Sequence, residues 1–209
     1  MVRARPISPE LLVEHVANAI DERPRDRRLA VAVDGAPPAG AGRLAELLVN
    51  ELRLRGREAV HVAAHDYLRP ASLRLELGRE DPDLFYTEWF DLAAIAREVL
   101  DPIGPDGSGR VLPRLWDAEA DRAYRARYVE LKPGGVVLLE GPFLIGAGLS
   151  FDLTVHLSLS AAALARHTAA ADAWTLPAYQ RYEQEQSPVE AADIAVRCDD
   201  PRHPALVCP

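Results

Sequence analysis

A continuous apolar segment followed by a glycine-spaced turn is the feature that most limits the folds open to this chain. Residues 29–34 read Leu-Ala-Val-Ala-Val-Asp, which is too continuously apolar for a strand with one wet face. The pattern predicts a strand buried on both faces, as in a parallel sheet. A turn at 35–42, leucines at helical spacing as far as Gly56 and a second strand at 59–63 complete a strand–helix–strand unit.

The rest of the chain repeats this alternation of strands and helices. Further strands are predicted at 136–140, 153–159 and 194–196, and helices at 9–23, 92–100 and 180–186. Ser8 is expected to cap the first helix. The alternation predicts a three-layer α/β fold with a mostly parallel sheet. We expect one domain over residues 1–209, with an N-terminal helix and linker at 1–28 and a core at 29–209.

Composition narrows the range of partners. The 209 residues include 24 basic and 32 acidic ones, and the resulting net charge of −8 does not suit a nucleic-acid surface. The first twenty residues lack a secretory pattern, and no apolar run reaches the roughly 18 residues of a membrane span. Two cysteines near the C-terminus are expected to be reduced thiols in a cytoplasmic protein. We expect a small-molecule partner, no nucleic acid and no membrane, and the oligomeric state stays open.

Polar residues follow three of the predicted strands at the point where each strand ends. They are Asp34-Gly35, His65-Asp66 and Glu140-Gly141. Parallel sheets bind ligands beyond the carboxyl ends of their strands, so these residues are expected to meet at one site. Glu140 closes a buried strand, and an unpaired buried charge is costly. Either magnesium or a charged neighbour is therefore expected beside Glu140.

The turn after the first strand is an incomplete phosphate-binding loop. Such a loop needs G-x-x-x-x-G-K-[ST], because backbone N–H groups wrap the phosphates, lysine neutralises them and the hydroxyl holds magnesium. Gly35 and Gly40 have the required spacing, but Ala41 and Gly42 occupy the lysine and hydroxyl positions. Taken alone, the segment is equally compatible with a tight turn that binds no ligand. The six histidines and two cysteines show no zinc-ligand spacing.

Several short motifs in register resemble the uridine kinase and nucleoside kinase branch of the P-loop kinases, over residues 29–204. The motifs are Val31-Ala32-Val33-Asp34-Gly35 with Leu44-Ala45, His65-Asp66-Tyr67-Leu68-Arg69, Asp81-Pro82-Asp83-Leu84-Phe85, Leu115-Trp116-Asp117, Val137-Leu138-Leu139-Glu140-Gly141, and Ala192-Asp193-Ile194-Ala195-Val196 followed by residues 200–204. The resemblance implies a P-loop NTPase-like fold, ATP as phosphoryl donor, Mg²⁺ as cofactor and a nucleoside or similar hydroxylated metabolite as acceptor.

The resemblance also implies roles for individual residues. Asp66 would accept the proton of the 5′-hydroxyl and contact magnesium together with Glu140. The nucleotide would bind at Gly35, Ala39, Gly40, Ala41, Gly42 and Arg43. The substrate would bind at Asp83, Trp116, Asp117, Arg166 and Arg181, the last two within a lid-like segment near 166–187.

Each of these roles has a plain structural alternative. Asp66 could instead cap the turn before Pro70, and Asp83 is equally suited to a solvated acidic loop. Trp116 could be a core or lid residue rather than a base-stacking one. Arg181 could be an ordinary surface helix residue.

The missing loop lysine separates two hypotheses. The chain has 23 arginines and one lysine, Lys132, which is expected at the far end of its strand from Glu140. A lysine near 4 Å from a phosphate oxygen supplies roughly 4 kcal/mol of attraction at an effective dielectric of about 20. Either an arginine, with Arg43 as the catalytic candidate, replaces it in a working kinase, or the chain is a pseudokinase that keeps only a ligand pocket.

Overall fold

A computed structural model describes residues 3–208 of the chain. Eleven strands occur in this part: β1 (Arg3–Pro6), β2 (Leu29–Gly35), β3 (Ala59–Ala63), β4 (Arg110–Val111), β5 (Trp116–Asp117), β6 (Arg122–Ala123), β7 (Val129–Glu130), β8 (Val136–Gly141), β9 (Leu153–Ser158), β10 (Ile194–Arg197) and β11 (Ala205–Cys208). Seven of them form the central sheet in the order β1-β11-β10-β9-β2-β8-β3. The pairs β4–β7 and β5–β6 are separate two-stranded ribbons.

The strand β2 lies in the middle of the sheet and is buried along its whole length. It pairs in parallel with β8 on one side and β9 on the other, so neither of its edges is exposed. β3 and β10 extend the parallel part outward, and β11 and β1 then add two antiparallel strands. The prediction of a doubly buried strand in a mostly parallel sheet is confirmed.

Helices cover both faces of the sheet and complete the three predicted layers. They are α1 (Pro9–Asp21), α2 (Ala41–Leu54), α3 (Ala71–Arg74), α4 (Pro82–Thr87), α5 (Leu92–Ile95, continued by a π-helical turn to Leu100), α6 (Ala161–His167), α7 (Leu176–Gln186) and α8 (Pro188–Ala191). α1 and α2 pack on one face against the alternate side chains of β2 that include Val31 and Val33. The other face carries an aromatic cluster centred on Phe85 and Phe143.

The N-terminal segment differs in part from the expectation of a helix and linker. Ser8 caps α1 by accepting from the Leu11 N–H at 3.2 Å, as the sequence suggested. The segment before it is a strand, β1, which pairs antiparallel with β11. The sequence did not predict β1, because its four residues show no apolar alternation.

Candidate functional site

Three acidic residues lie at the carboxyl edge of the parallel strands, as the sequence indicated. Asp34 and Glu140 are each followed by the glycine that ends β2 or β8, and Asp34 is paired with Gly141 in the ladder. Asp66 lies in a 3₁₀ turn, Ala64–Tyr67, that directly follows β3. The strand register aligns Ala63 with Glu140, which brings the ends of β3 and β8 side by side. We call this part of the sheet, with Asp34, Asp66 and Glu140, the acidic edge. Its chemistry depends on the groups that surround each carboxylate.

The loop between β2 and α2 uses most of its own N–H groups internally. Residues 37–39 form a 3₁₀ turn in which the Ala39 N–H donates to Ala36 O at 2.8 Å, and the Gly40 N–H donates to Pro37 O at 3.2 Å. Pro37 and Pro38 have no N–H to offer. Gly40 closes the turn with a φ of 86°, a conformation that favours glycine. Residues 37–40 therefore leave no donor for a phosphate, and the first turn of α2 provides the free N–H groups.

The two altered motif positions have different surroundings. Ala41, at the lysine position, is buried against the core that α1 and α2 share. Gly42, at the hydroxyl position, faces Glu140, and a Cβ placed on Gly42 would lie 3.5 Å from Glu140 Oε1. The Glu140 carboxylate is therefore in contact distance of the place where the hydroxyl-bearing side chain of a complete motif would start.

Glu140 lies beside a histidine of the neighbouring strand, and its expected role at a magnesium site stays a prediction. His61 of β3 places Nε2 3.6 Å from Glu140 Oε1, and this nitrogen has no hydrogen-bond partner within residues 3–208. Magnesium is usually held by one or two carboxylates, with phosphate oxygens and water filling the remaining positions. Glu140 fits such a role. No group of three His, Cys, Asp or Glu residues in the described part of the chain could hold a metal by itself.

Asp66 is bound to an arginine that the sequence interpretation did not single out. Its Oδ2 accepts from Arg114 Nε at 2.9 Å, and the Arg114 guanidinium lies 5.0 Å from the centre of the Tyr124 ring. The hydrogen bond to Asp66, together with its charge, raises the pKa of Arg114. The Leu115 N–H also donates to the Asp66 carbonyl at 3.0 Å, which fastens the segment before β5 to the turn after β3. Burial, followed by the charge of Asp66, also raises the pKa of Tyr124, so Arg114 and Tyr124 both lie beside this carboxylate.

The predicted substrate residues Trp116 and Asp117 hold the β5–β6 ribbon together. Asp117 Oδ1 accepts from the N–H groups of Glu119 and Ala120 at 3.1 and 3.0 Å, so its carboxylate caps the turn. Trp116 is half-buried and donates from Nε1 to Asp121 Oδ1 at 3.2 Å. Both contacts are structural, and a substrate role for either residue stays a prediction.

The structure pairs Asp83 and Arg181, two further residues that the sequence singled out. Arg181 of α7 donates to Asp83 of α4 at 2.9 Å and to Glu185 at 2.7 Å, and its guanidinium lies 4.9 Å from the centre of the Tyr86 ring. Both members of the Asp83–Arg181 pair have much of their side chain in solvent. The pair links α4 to α7, which favours the structural alternative for Arg181.

The other cations that the sequence singled out are exposed. Arg43 is exposed on α2, and its charge helps to lower the pKa of Glu10 in α1, after the larger effects of the backbone and Ser8 hydrogen bonds. Arg166 is exposed and donates to Ala162 O of its own helix at 3.3 Å. Lys132, the only lysine, pairs with Glu58 at 3.4 Å beside the opposite end of the sheet. Arg114 therefore replaces Arg43 as the candidate cation at the acidic edge.

Asp34 belongs to a buried polar cluster that the sequence did not reveal. Its Oδ1 accepts from the Leu144 N–H at 2.8 Å, and its Oδ2 accepts from the Tyr182 hydroxyl at 2.9 Å. His156 of β9 places Nδ1 2.5 Å from the same Oδ2. Asp34 and His156 are adjacent only because β2 and β9 pair in this register. The cluster can therefore be predicted only when the strand pairing is known.

Three solved structures share this arrangement of strands and helices. One, described as a possible uridine kinase from Bacillus stearothermophilus, aligns with a TM-score of 0.70 and 21% identity over 89% of this chain and 98% of its own. The chain has the fold of the uridine kinase-like P-loop kinases. A candidate fructose transport system kinase from Silicibacter sp. TM1040 gives a TM-score of 0.57 and 21% identity over 88% and 92% of the two chains. The YGR205w protein aligns with a TM-score of 0.63 and 12% identity, over 96% of this chain and 97% of its own.

Sequence comparison alone does not reach this fold. No family model matches the chain, and no curated protein matches it either. The structural likeness shows a shared P-loop kinase fold. At 12 to 21% identity it does not show a shared chemistry, which depends on the residues of this chain. Within residues 3–208, no helix is both long enough and apolar enough to cross a bilayer.

Proposed function

We propose that the chain is a phosphotransferase of the uridine kinase-like type, which transfers a phosphoryl group from ATP to a hydroxyl of a nucleoside or a similarly hydroxylated small molecule. The observation that carries the proposal is the convergence of Asp66, with its partner Arg114, and Glu140 at the mouth of the loop before α2. A carboxylate that can orient a hydroxyl and a second one that can hold a metal are the two acidic groups that this reaction needs.

Asp66, Arg114 and Glu140 have different roles in this reaction. The acceptor hydroxyl gives its proton to Asp66, on the oxygen that Arg114 does not occupy. The hydroxyl oxygen bonds to the γ-phosphorus while the bond to the β–γ bridging oxygen breaks, and ADP leaves. The hydrogen bond from Arg114 orients the Asp66 carboxylate. Magnesium, when bound, neutralises phosphate charge, and Glu140 is the residue that would hold it.

Slow turnover is part of this proposal. Loss of one well-placed donor to a developing charge typically lowers a rate by about 10²- to 10³-fold. Here the lysine position is Ala41 and residues 37–40 provide no free N–H, so the donor phosphates rely on the first turn of α2 and on arginine. The acceptor side supports the proposal more strongly than the donor side does.

The test is ADP formation from ATP and magnesium across a panel of nucleosides and sugars. Asp66→Asn should abolish turnover, because it removes the proton acceptor while keeping the shape of the side chain. Asp106→Asn is the matched control, since Asp106 is an exposed acid near the opposite end of the sheet. Absence of ADP with every acceptor would refute the proposal, and so would full activity in Asp66→Asn.

A second candidate is a pseudokinase that keeps the nucleoside or nucleotide pocket without transfer. The internal hydrogen bonds of the loop and the buried Ala41 favour it. It predicts that ATP or a nucleoside raises the melting temperature while no ADP forms.

Restoring the motif separates the two candidates. In Ala41→Lys/Gly42→Ser, the new Cβ on residue 42 would be in ordinary contact with Glu140. The first proposal predicts that turnover rises by about 10²-fold or more from a measurable baseline. Turnover that appears only in the double variant would support the pseudokinase.

A further inference from the structure

A cavity of about 520 Å³ lies between the loop after β2, the end of β9 and the helices α6 and α7. Its walls are mostly apolar and include Phe143, Leu157, Leu164, Leu176 and Tyr179. Ligand cavities of a few hundred Å³ with apolar walls and a few polar groups accommodate small organic molecules. Of the residues that the structure describes, neither Asp66 nor Arg114 lines this cavity, so it is separate from the acceptor side of the acidic edge.

One polar group in the wall has an unsatisfied hydrogen-bonding position. His156 is 2% exposed, and its Nδ1 is taken by Asp34. Its Nε2 has no hydrogen-bond partner in residues 3–208, and Glu183 Oε1, also in the cavity wall, lies 3.6 Å away. A buried polar nitrogen without a partner is costly, so this position favours a ligand atom that can satisfy it.

The charges around the ring decide which kind of atom that is. Burial lowers the pKa of His156, but the hydrogen bond to Asp34 and the charges of Asp34 and the nearby Glu183 outweigh burial and raise the pKa to about 9. The ring is therefore protonated at neutral pH, and both of its nitrogens are donors. Nε2–H requires an acceptor, while the Glu183 carboxylate beside it accepts from a donor.

We propose that this cavity binds a planar heterocycle that has a hydrogen-bond acceptor next to a donor along one edge, as nucleobases have. The acceptor takes the His156 Nε2–H, and the neighbouring N–H or amino group donates to Glu183. The apolar walls, with the rings of Phe143 and Tyr179, cover the faces of the heterocycle. The two groups that would recognise the heterocycle, His156 and Glu183, lie on β9 and α7, and the cavity also borders Gly35 and Ala36 at the start of the loop before α2. Asp66 and Arg114 are not among its lining residues.

The heterocycle could be free or could be the base of a nucleotide, and titrations with different probes distinguish these sources. Isothermal titration calorimetry with adenine and with ATP compares the two. Equal affinities place only the base in the cavity, and tighter binding of ATP adds contacts from its sugar or phosphates. 9-Methyladenine and 9-methylpurine, which share the ring acceptors and differ in the amino group, test the donor contact because neither has a ring N–H. We expect adenine and 9-methyladenine to bind and 9-methylpurine to bind about 10-fold more weakly than 9-methyladenine.

Variants assign the binding to the cavity. His156→Asn keeps a donor near Asp34 but has no group at the Nε2 position, and it should weaken adenine binding by about 10-fold. Glu183→Ala, at a half-exposed side chain on the rim, should weaken 9-methyladenine binding by a larger factor than 9-methylpurine binding, because only the former has a donor for Glu183. Asp66→Asn should leave adenine binding unchanged, which separates this site from the proposed function.

Three outcomes would overturn the inference. They are no binding of adenine or ATP, equal binding by wild type and both cavity variants, or equal binding of adenine and an apolar ring such as indene. Thermal melting of each variant shows whether it is folded. If His156→Asn does not fold, Glu183→Ala alone decides the matter, because its side chain lies at the surface and its loss leaves the core intact.

Discussion

The buried pair of His156 and Asp34 predicts that the stability of this protein depends on pH. The pKa of His156 in the folded chain is about 9, above its ordinary value of 6.5, because Asp34 and Glu183 outweigh the effect of burial. A raised pKa means that the folded state holds the proton more tightly than the unfolded state does. The resulting stabilisation is fully present below about pH 6.5 and is lost as the pH rises through 9.

The size of the effect follows from the two pKa values. One pH unit corresponds to about 1.4 kcal/mol, so the interval from 6.5 to about 9 gives a maximum near 3 kcal/mol. Solvent screening takes little from this figure, because Asp34 is 0% exposed and His156 is 2% exposed. The Tyr182 hydroxyl donates to the same carboxylate and stays protonated throughout, since burial raises its pKa further.

Urea unfolding at about pH 6 and about pH 9.5, followed by circular dichroism, measures this loss directly. His156→Asn is the control, because its side chain can still donate to Asp34 but does not titrate. Burial raises the pKa of Cys198 to about 12, and this group contributes equally in both proteins. The free energy of unfolding of wild type should fall by about 3 kcal/mol more than that of the variant over this range. Parallel pH profiles in the two proteins would refute the reasoning.

Three further changes have expected outcomes. Gly35→Ala would place a Cβ 2.9 Å from Leu157 O, so the free energy of unfolding in urea should fall by about 1–3 kcal/mol. A variant as stable as wild type would contradict the packing argument. Arg114→Leu should lower any kcat by about 10-fold or more, because Asp66 loses the hydrogen bond that orients its carboxylate; an unchanged kcat would exclude this role. Arg57→Ala should lower the free energy of unfolding in urea by about 3 kcal/mol, since the buried guanidinium donates to three backbone carbonyls. A decrease below about 1 kcal/mol would contradict this structural role.

The sequence predicted those parts of the fold that depend on local pattern. The continuous apolar run of β2 indicated burial on both faces, and Ser8 indicated where α1 begins. The acidic strand ends also lie at one edge, because parallel strands direct their carboxyl ends to the same side. Each of these inferences needed only residues close together in the chain.

What the sequence did not predict depends on contacts between distant segments. Arg114 meets Asp66 across 48 positions, because β5 returns over the turn after β3. His156 lies in β9 between Val155 and Leu157, and only the register with β2 places it next to Asp34. Arg43 has the reach to approach the loop, but the helical rotation of α2 turns it outward toward α1. Spacing along the chain does not specify any of these directions.

The solitary lysine has a practical consequence. Lys132 is exposed and stands beside the amino end of β8, whereas Glu140 and Gly42 lie at the carboxyl end. Apart from the amino terminus, it is the only primary amine in the chain. An amine-reactive fluorophore or surface linker would therefore attach at one defined side-chain position and leave both the acidic edge and the His156 cavity facing solvent. With the terminal amine blocked, surface-based binding measurements can use protein immobilised through that side chain.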